Sequence, residues 1–179
     1  MAEKIEIIDT LTGYGPSTIE LGSHYTKYSH FEFKNKGNFH HVMVAGQAQI
    51  KLNSVLHIEN TKFLFAESMD VFSKKKTRML MAFISGQGEA YKIDIFGDGY
   101  EDILRGTKAV ITKSKLLYFG LFASTIITIP LGIIMPPALI ASIGSIWFGV
   151  KTFKATKDTQ QLLDIYKNTM RELPNAKAL

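Results

Sequence analysis

The chain has 179 residues, no cysteine, and 21 Lys+Arg against 16 Asp+Glu, a formal net charge of +5. Its 46% hydrophobic and 11% aromatic content excludes a disordered, collagen-like or low-complexity protein. The absence of cysteine excludes disulfide scaffolds, thiolate metal sites and cysteine nucleophiles together. Residues 1–105 carry 12 basic and 13 acidic side chains and residues 106–179 carry 9 and 3, so the basic excess belongs wholly to the C-terminal part.

The N-terminus, MAEKIEIIDT, is polar and acidic, which predicts no cleaved secretory leader. From there to residue 105, short stretches rich in Ile, Val, Phe and Tyr read as strands at 4–9, 17–21, 28–34, 39–46, 47–52, 62–66, 78–85 and 89–96. Turn residues separate them at GYGP (13–16), KNKGN (34–38), GQGE (86–89) and GDG (97–99). Residues 1–105 are therefore expected to form a soluble β-rich domain, an antiparallel small sandwich or barrel.

Chemistry-bearing motifs are scarce in this part. Five histidines (His24, His30, His40, His41, His57) invite a metal site, but no carboxylate or cysteine stands at a ligand spacing around them. Adjacent His40 and His41 would point to opposite faces of a strand. The GxG triplets lack the continuation of a phosphate loop, and Ser17, Ser54, Ser73 and Ser85 lack a nucleophile elbow. Asp94, Asp98, Glu101 and Asp102 read as a solvated acidic edge. The run Lys74-Lys75-Lys76-Thr77-Arg78 reads as a charged hairpin tip or strand edge, with anionic lipid or a nucleic-acid backbone as the sharper alternative. No catalytic, metal or cofactor residue emerges, and no nucleic-acid partner is expected.

Residues 106–115 form a basic linker ahead of an uncharged run, Leu116–Val150, which is long enough to suggest a membrane segment. As one helix it would measure about 52 Å against a hydrocarbon core of about 30 Å. Pro130, Gly132, Pro136 and Pro137 stand at its centre, so 130–137 reads as the turn of a transmembrane helical hairpin with arms 116–129 and 138–150, spanning fully or wedged into one leaflet, with a single long kinked helix as the runner-up. Both flanks are basic. Lys113 and Lys115 precede the run and Lys151 and Lys154 follow it, with Tyr118 and Trp147 near the interfaces, which places both flanks on the cytoplasmic side. Gly120 and Ser124 on the first arm, and Ala141, Ser145 and Gly149 on the second, offer small-residue faces for helix packing.

The basic tail, 151–179, contains an amphipathic helix at 158–173, with Asp158 as N-cap and Leu162, Tyr166, Met170 and Leu173 on one face, Leu163 at its edge. That face requires cover from the β domain, a second copy or the membrane surface. The architecture implies a non-catalytic protein anchoring a β module to a lipid bilayer, as a structural subunit of a larger or self-associated membrane assembly such as a secretion machine, respiratory complex or membrane-containing virion. A pore-forming or holin-like protein is the alternative, and a membrane-tethered ligand- or lipid-binding regulator comes after it.

Overall fold

The computed structural model describes residues 2–19, 25–69, 75–93 and 136–179, plus 109, 111–113, 115, 116, 119, 120 and 123, with the backbone alone at 136–143 and 145. His24, Ser73, Lys74, the Asp94–Asp102 cluster, Tyr118, Ser124, Pro130 and Gly132 lie outside the described residues. The chain divides into two compact units, one of Met1–Asp70, Lys75–Gly97 and Gln161–Leu179, the other of Val71–Lys74 and Asp98–Gln160.

The first unit is β-rich. Its strands are β1 (Glu3–Asp9), β2 (Leu11–Tyr14), β3 (Ser17–Ile19), β4 (Tyr25–Phe33), β5 (Gly37–Ala45), β6 (Thr61–Met69), β7 (Lys76–Ile84), β8 (Ala90–Lys92) and β9 (Lys177–Ala178). They form one sheet in the order β1-β6-β7-β5-β4-β2, with β3 on β4, β8 on β7 and β9 on β8. The two ends of this path, β1 and β2, are separated in sequence by Thr10 alone. The sheet must therefore curl back around its own inner face, where Phe31, Phe33, Phe63, Phe65 and Phe83 meet in edge-on and tilted ring contacts.

The curl has a visible hinge. In β5 Phe39 packs against the core, but beyond His41 the buried residues are Val42 and Val44. In β4 the buried set likewise shifts from Phe33 and Phe31 to Tyr28 and Thr26. Strict alternation cannot connect these sets. His41 has φ +59 and drops out of the ladder, which resumes at Tyr28↔Val42 on one side and His30↔His40 on the other. One left-handed residue thus reverses which side chains face inward and lets the hairpin turn a corner.

Three departures from the sequence reading have physical causes. Residues 47–52, expected as a strand, lie in helix α1 (Gly46–Ser54). Ala48 and Leu52 are buried there while Ile50 is 77% exposed, so the helical i, i+4 period decides the burial. The sheet is not purely antiparallel, since β5 pairs with β7 and β8 with β9 in parallel. The interposed α1 reverses the chain between β5 and the β6–β7 hairpin, and that sets β7 parallel to β5. The separate arm at 138–150 and tail helix at 158–173 are one helix, α2 (Pro136–Glu172). The intervening KTFKATK contains no breaker, and Asp158 sits within the helix rather than at its cap.

Pro136 and Pro137 open α2, where proline's fixed φ and missing N–H are tolerated. Its uncharged portion, 136–150, rises about 22 Å, short of a hydrocarbon core of about 30 Å. Among the described residues no helix is long and apolar enough to cross a membrane.

The end of α2 belongs to the β-rich unit. The Ala2 N–H donates to Gln161 Oε1 at 3.1 Å, and Lys4 pairs with Glu172. Lys4 stands opposite Ala66 in the β1–β6 ladder and therefore shares its face. Ala66 and Leu64 are buried on that outer side, away from the aromatic core. Tyr166 and Thr169 are buried on the helix itself. The β unit is thus bonded to the end of this helix through Ala2 and Lys4.

Candidate functional site

The described part of the uncharged run carries an unusual surface. Leu116, Phe119, Ile146, Trp147, Phe148, Val150 and, just past its end, Phe153 are all exposed. Scattered apolar residues are ordinary on a soluble surface, whereas a stretch containing Ile146, Trp147, Phe148 and Val150 is a candidate contact region. Lys151 Nζ stands 3.8 Å from the Trp147 ring centroid, one helical turn on. An indole capped by an ammonium, at the point where charge first returns to the sequence, suits a bilayer interface.

The other residues expected at a membrane interface or in helix packing are placed as follows. Lys113, Lys115 and Lys154 are exposed and Lys151 is half-buried. Lys113 and Lys115 have helical backbone, so helix begins within the expected linker. Gly149 is buried, while a methyl added at Gly120 would meet nothing within 4 Å. Ala141, Ser145 and Gly149 fall on one continuous helix at i, i+4 and i+8. Further along, Thr152, Thr156 and Thr159 each donate to the carbonyl four residues earlier, at 2.9, 2.8 and 2.9 Å. These hydroxyls are satisfied by their own helix.

On the β unit, Ser29 Oγ lies 2.9 Å from His30 Nδ1, and His30 Nε2 lies 3.1 Å from Glu32 Oε1. A serine–histidine–carboxylate chain suggests nucleophilic catalysis, which also requires free N–H donors for the developing oxyanion. The Ser29 N–H donates to Pro16 O at 2.9 Å and the Gly15 N–H to His30 O at 3.0 Å, so both nearby donors are committed to the backbone. The trio reads as a surface hydrogen-bond chain. The His30 and His40 rings lie 5.6 Å apart, and no group of three metal-ligating side chains occurs among the described residues.

The basic run continues directly into β7, where it meets the one buried acid of this region. Glu67 accepts from Lys76 Nζ at 2.7 Å and from Arg78 Nε at 2.8 Å. Burial pushes its carboxyl up, but these two cations outweigh that effect and hold it below the usual carboxylate range. Arg78 also donates to His40 O at 2.8 Å and lies over the Phe39 ring at 4.1 Å, fastening β7 to β5. Sequence reasoning missed Glu67, whose role depends on a cross-strand register, and Thr169, a polar residue amid an apolar stripe.

No protein-family model, curated protein or solved structure matches this chain.

Proposed function

We propose that this protein is a non-catalytic integral membrane protein. Its uncharged segment enters the bilayer and returns, holding the β unit at one surface as a structural subunit of a larger or self-associated assembly. The observation that carries the reading is the parallel pairing of β9 with β8, Tyr91↔Lys177 and Lys92↔Ala178. The entire uncharged run lies between these two strands in sequence, yet both belong to one sheet. Any excursion into a membrane must then cross an even number of times or re-enter on the same side. A single kinked span would separate β9 from its partner.

Three further features support the reading. The exposed apolar face and the Trp147–Lys151 pair suit lipid contact. The basic flanks obey the positive-inside rule only when both lie on one side. Gly149, buried within the chain on the same helix as Ala141 and Ser145, suits a close approach of backbones within the hairpin.

The test uses the cysteine-free chain with single cysteines at Lys113 or Lys154, expressed in cells. The chain should resist alkaline carbonate extraction, and both positions should be protected from an impermeant thiol reagent until the membrane is opened. Extraction into the soluble fraction would overturn the anchor. Labelling of one position alone from outside would overturn the return.

A further inference from the structure

As far as Lys157, helix α2 carries charge of one sign only. No Asp or Glu stands between Asp102 and Asp158, an interval that holds Lys113, Lys115, Lys151, Lys154 and Lys157. Asp158, the first acid of α2, is 9% exposed and so withdrawn from the surface. Lys154 and Lys157 are exposed.

These charges continue the exposed apolar surface. Trp147, Val150, Lys154 and Lys157 follow one another at steps of three and four residues, so they share one face of α2. Gly149 and Thr156 fall on the opposite side and are buried, so the helix turns the Trp147 face outward. Along its axis that face passes from apolar to cationic, with Lys151 over the Trp147 ring at the change. A bilayer surface has the same order, hydrocarbon first and then headgroups. A nucleic-acid backbone would meet the cations and leave Ile146, Trp147 and Val150 in water. A neutral headgroup layer would cover the apolar residues and give the lysines no counter-charge.

We propose that this face of α2 binds anionic phospholipid, which seats the uncharged run in a negatively charged leaflet. Lys154 and Lys157 meet the headgroup phosphates, and Trp147 and Val150 lie at the acyl boundary. Lys113 and Lys115, both exposed, add charge at the other end of the run. This preference rests on the membrane contact proposed above and adds the charge of the lipid, which that reading leaves open.

Trp147 is the single tryptophan of the chain and stands on this face, so its fluorescence reports the face directly. The full chain is reconstituted in vesicles of equal parts phosphatidylcholine and phosphatidylglycerol, with brominated acyl chains on one lipid or on the other. Bromine quenches an indole only at contact. Brominated phosphatidylglycerol should quench Trp147 roughly fivefold more strongly, the preference that one lysine near an anionic surface supplies. Lys154→Gln with Lys157→Gln should lower that ratio at least about twofold, and so should about 1 M salt, which screens charges within about 3 Å. Lys34→Gln serves as the control, because Lys34 pairs with Glu59 in the β unit. Equal quenching by both lipids, or a ratio that falls as much in Lys34→Gln, overturns the headgroup preference and leaves the anchor standing. If the chain floats with the vesicles but neither lipid quenches Trp147, or if only an RNA oligonucleotide changes its emission, this face is not the lipid surface. A chain that does not float with the vesicles overturns the anchoring reading, and the preference with it.

Discussion

Asp9 closes the joint between β1 and β2, and its removal should be the most costly polar substitution in the β unit. The carboxylate is 4% exposed. It accepts from the Thr10 N–H at 2.7 Å, the Asn35 N–H at 2.9 Å, the Asn35 side-chain amide at 2.8 Å and the Lys36 N–H at 2.8 Å. It thereby pins the β4–β5 turn to the point where the curled sheet nearly meets itself. Asp9→Ala leaves three backbone donors without an acceptor. Each orphaned buried donor costs about 1–3 kcal/mol, but Asn35 and Lys36 lie in an exposed turn and regain water, so the expected loss is about 2–4 kcal/mol. Asp9→Asn keeps one acceptor oxygen and turns an amide toward the other donors, for an expected loss of about 1–3 kcal/mol. Burial pushes this carboxyl up, yet the four hydrogen bonds outweigh it and hold it below its usual range. The stability that the ionised group contributes is therefore complete above about pH 4 and disappears as pH falls through the depressed folded value. Urea denaturation followed by far-ultraviolet circular dichroism, at pH 7, 5, 3.5 and 2.5, measures the gap between wild type and Asp9→Asn. The gap should hold from pH 7 to 5 and narrow below 4. A gap independent of pH would refute the assigned role of the charge, and an Asp9→Ala loss under about 0.5 kcal/mol would refute the joint itself.

Arg78→Lys should cost about 1–2 kcal/mol in the same denaturation assay, because an ammonium cannot hold Glu67 and His40 O together while lying over the Phe39 ring. Gly86→Ala should cost about 1–3 kcal/mol, since its Cβ would sit 1.9 Å from the Glu59 carbonyl oxygen. Gly37→Ala, at φ +71 with open space around it, should cost about 1 kcal/mol, and equal losses at the two glycines would contradict the steric account. A chain of residues 1–97 joined by a flexible linker to 161–179 should unfold at a higher urea midpoint than 1–105 alone, because it restores the bonds of Gln161 and Glu172 to Ala2 and Lys4 and the pairing of β9 with β8. Coincident midpoints would show that the tail adds nothing to the β unit.

Much of the β unit was legible because its strands carry their own signal. Phe31 and Phe33 alternate with Glu32 and Lys34, and the KNKGN turn falls where the chain reverses at Lys34–Lys36. The failures occurred where one pattern fitted two periods. Gln47-Ala48-Gln49-Ile50-Lys51-Leu52 alternates as a strand would, but the buried pair is Ala48 and Leu52 rather than the even set including Ile50. Helix α2 was divided in two because a shift from apolar to basic composition looked like a boundary, whereas nothing in Lys151–Lys157 opposes helix. A concavity beside β5 was half visible in the basic run, of which Lys75, Lys76 and Thr77 line it. Lys27 and His41 join it only through the β4–β5 register, which no local pattern encodes. Strand β9 is two residues long and has no sequence signature.

That short strand bears on how the β unit holds the stretches of chain before and after the uncharged run. The link is modest in itself: two parallel pairs, the Leu179 N–H donating to Lys92 O at 3.0 Å, and Lys177 beside Glu89 at 3.3 Å. Its persistence comes from what precedes it, since the last turns of α2 are tied to Ala2 and Lys4 and bury Tyr166 and Thr169. The entropy of closing the intervening loop grows only logarithmically, by about 0.6 kcal/mol for each doubling of its length. The contacts at the end of α2 and at β9 offset that cost. The sheet and the uncharged run can then be nearly independent in free energy, so a change within the run should alter what the run contacts before it alters the stability of the sheet.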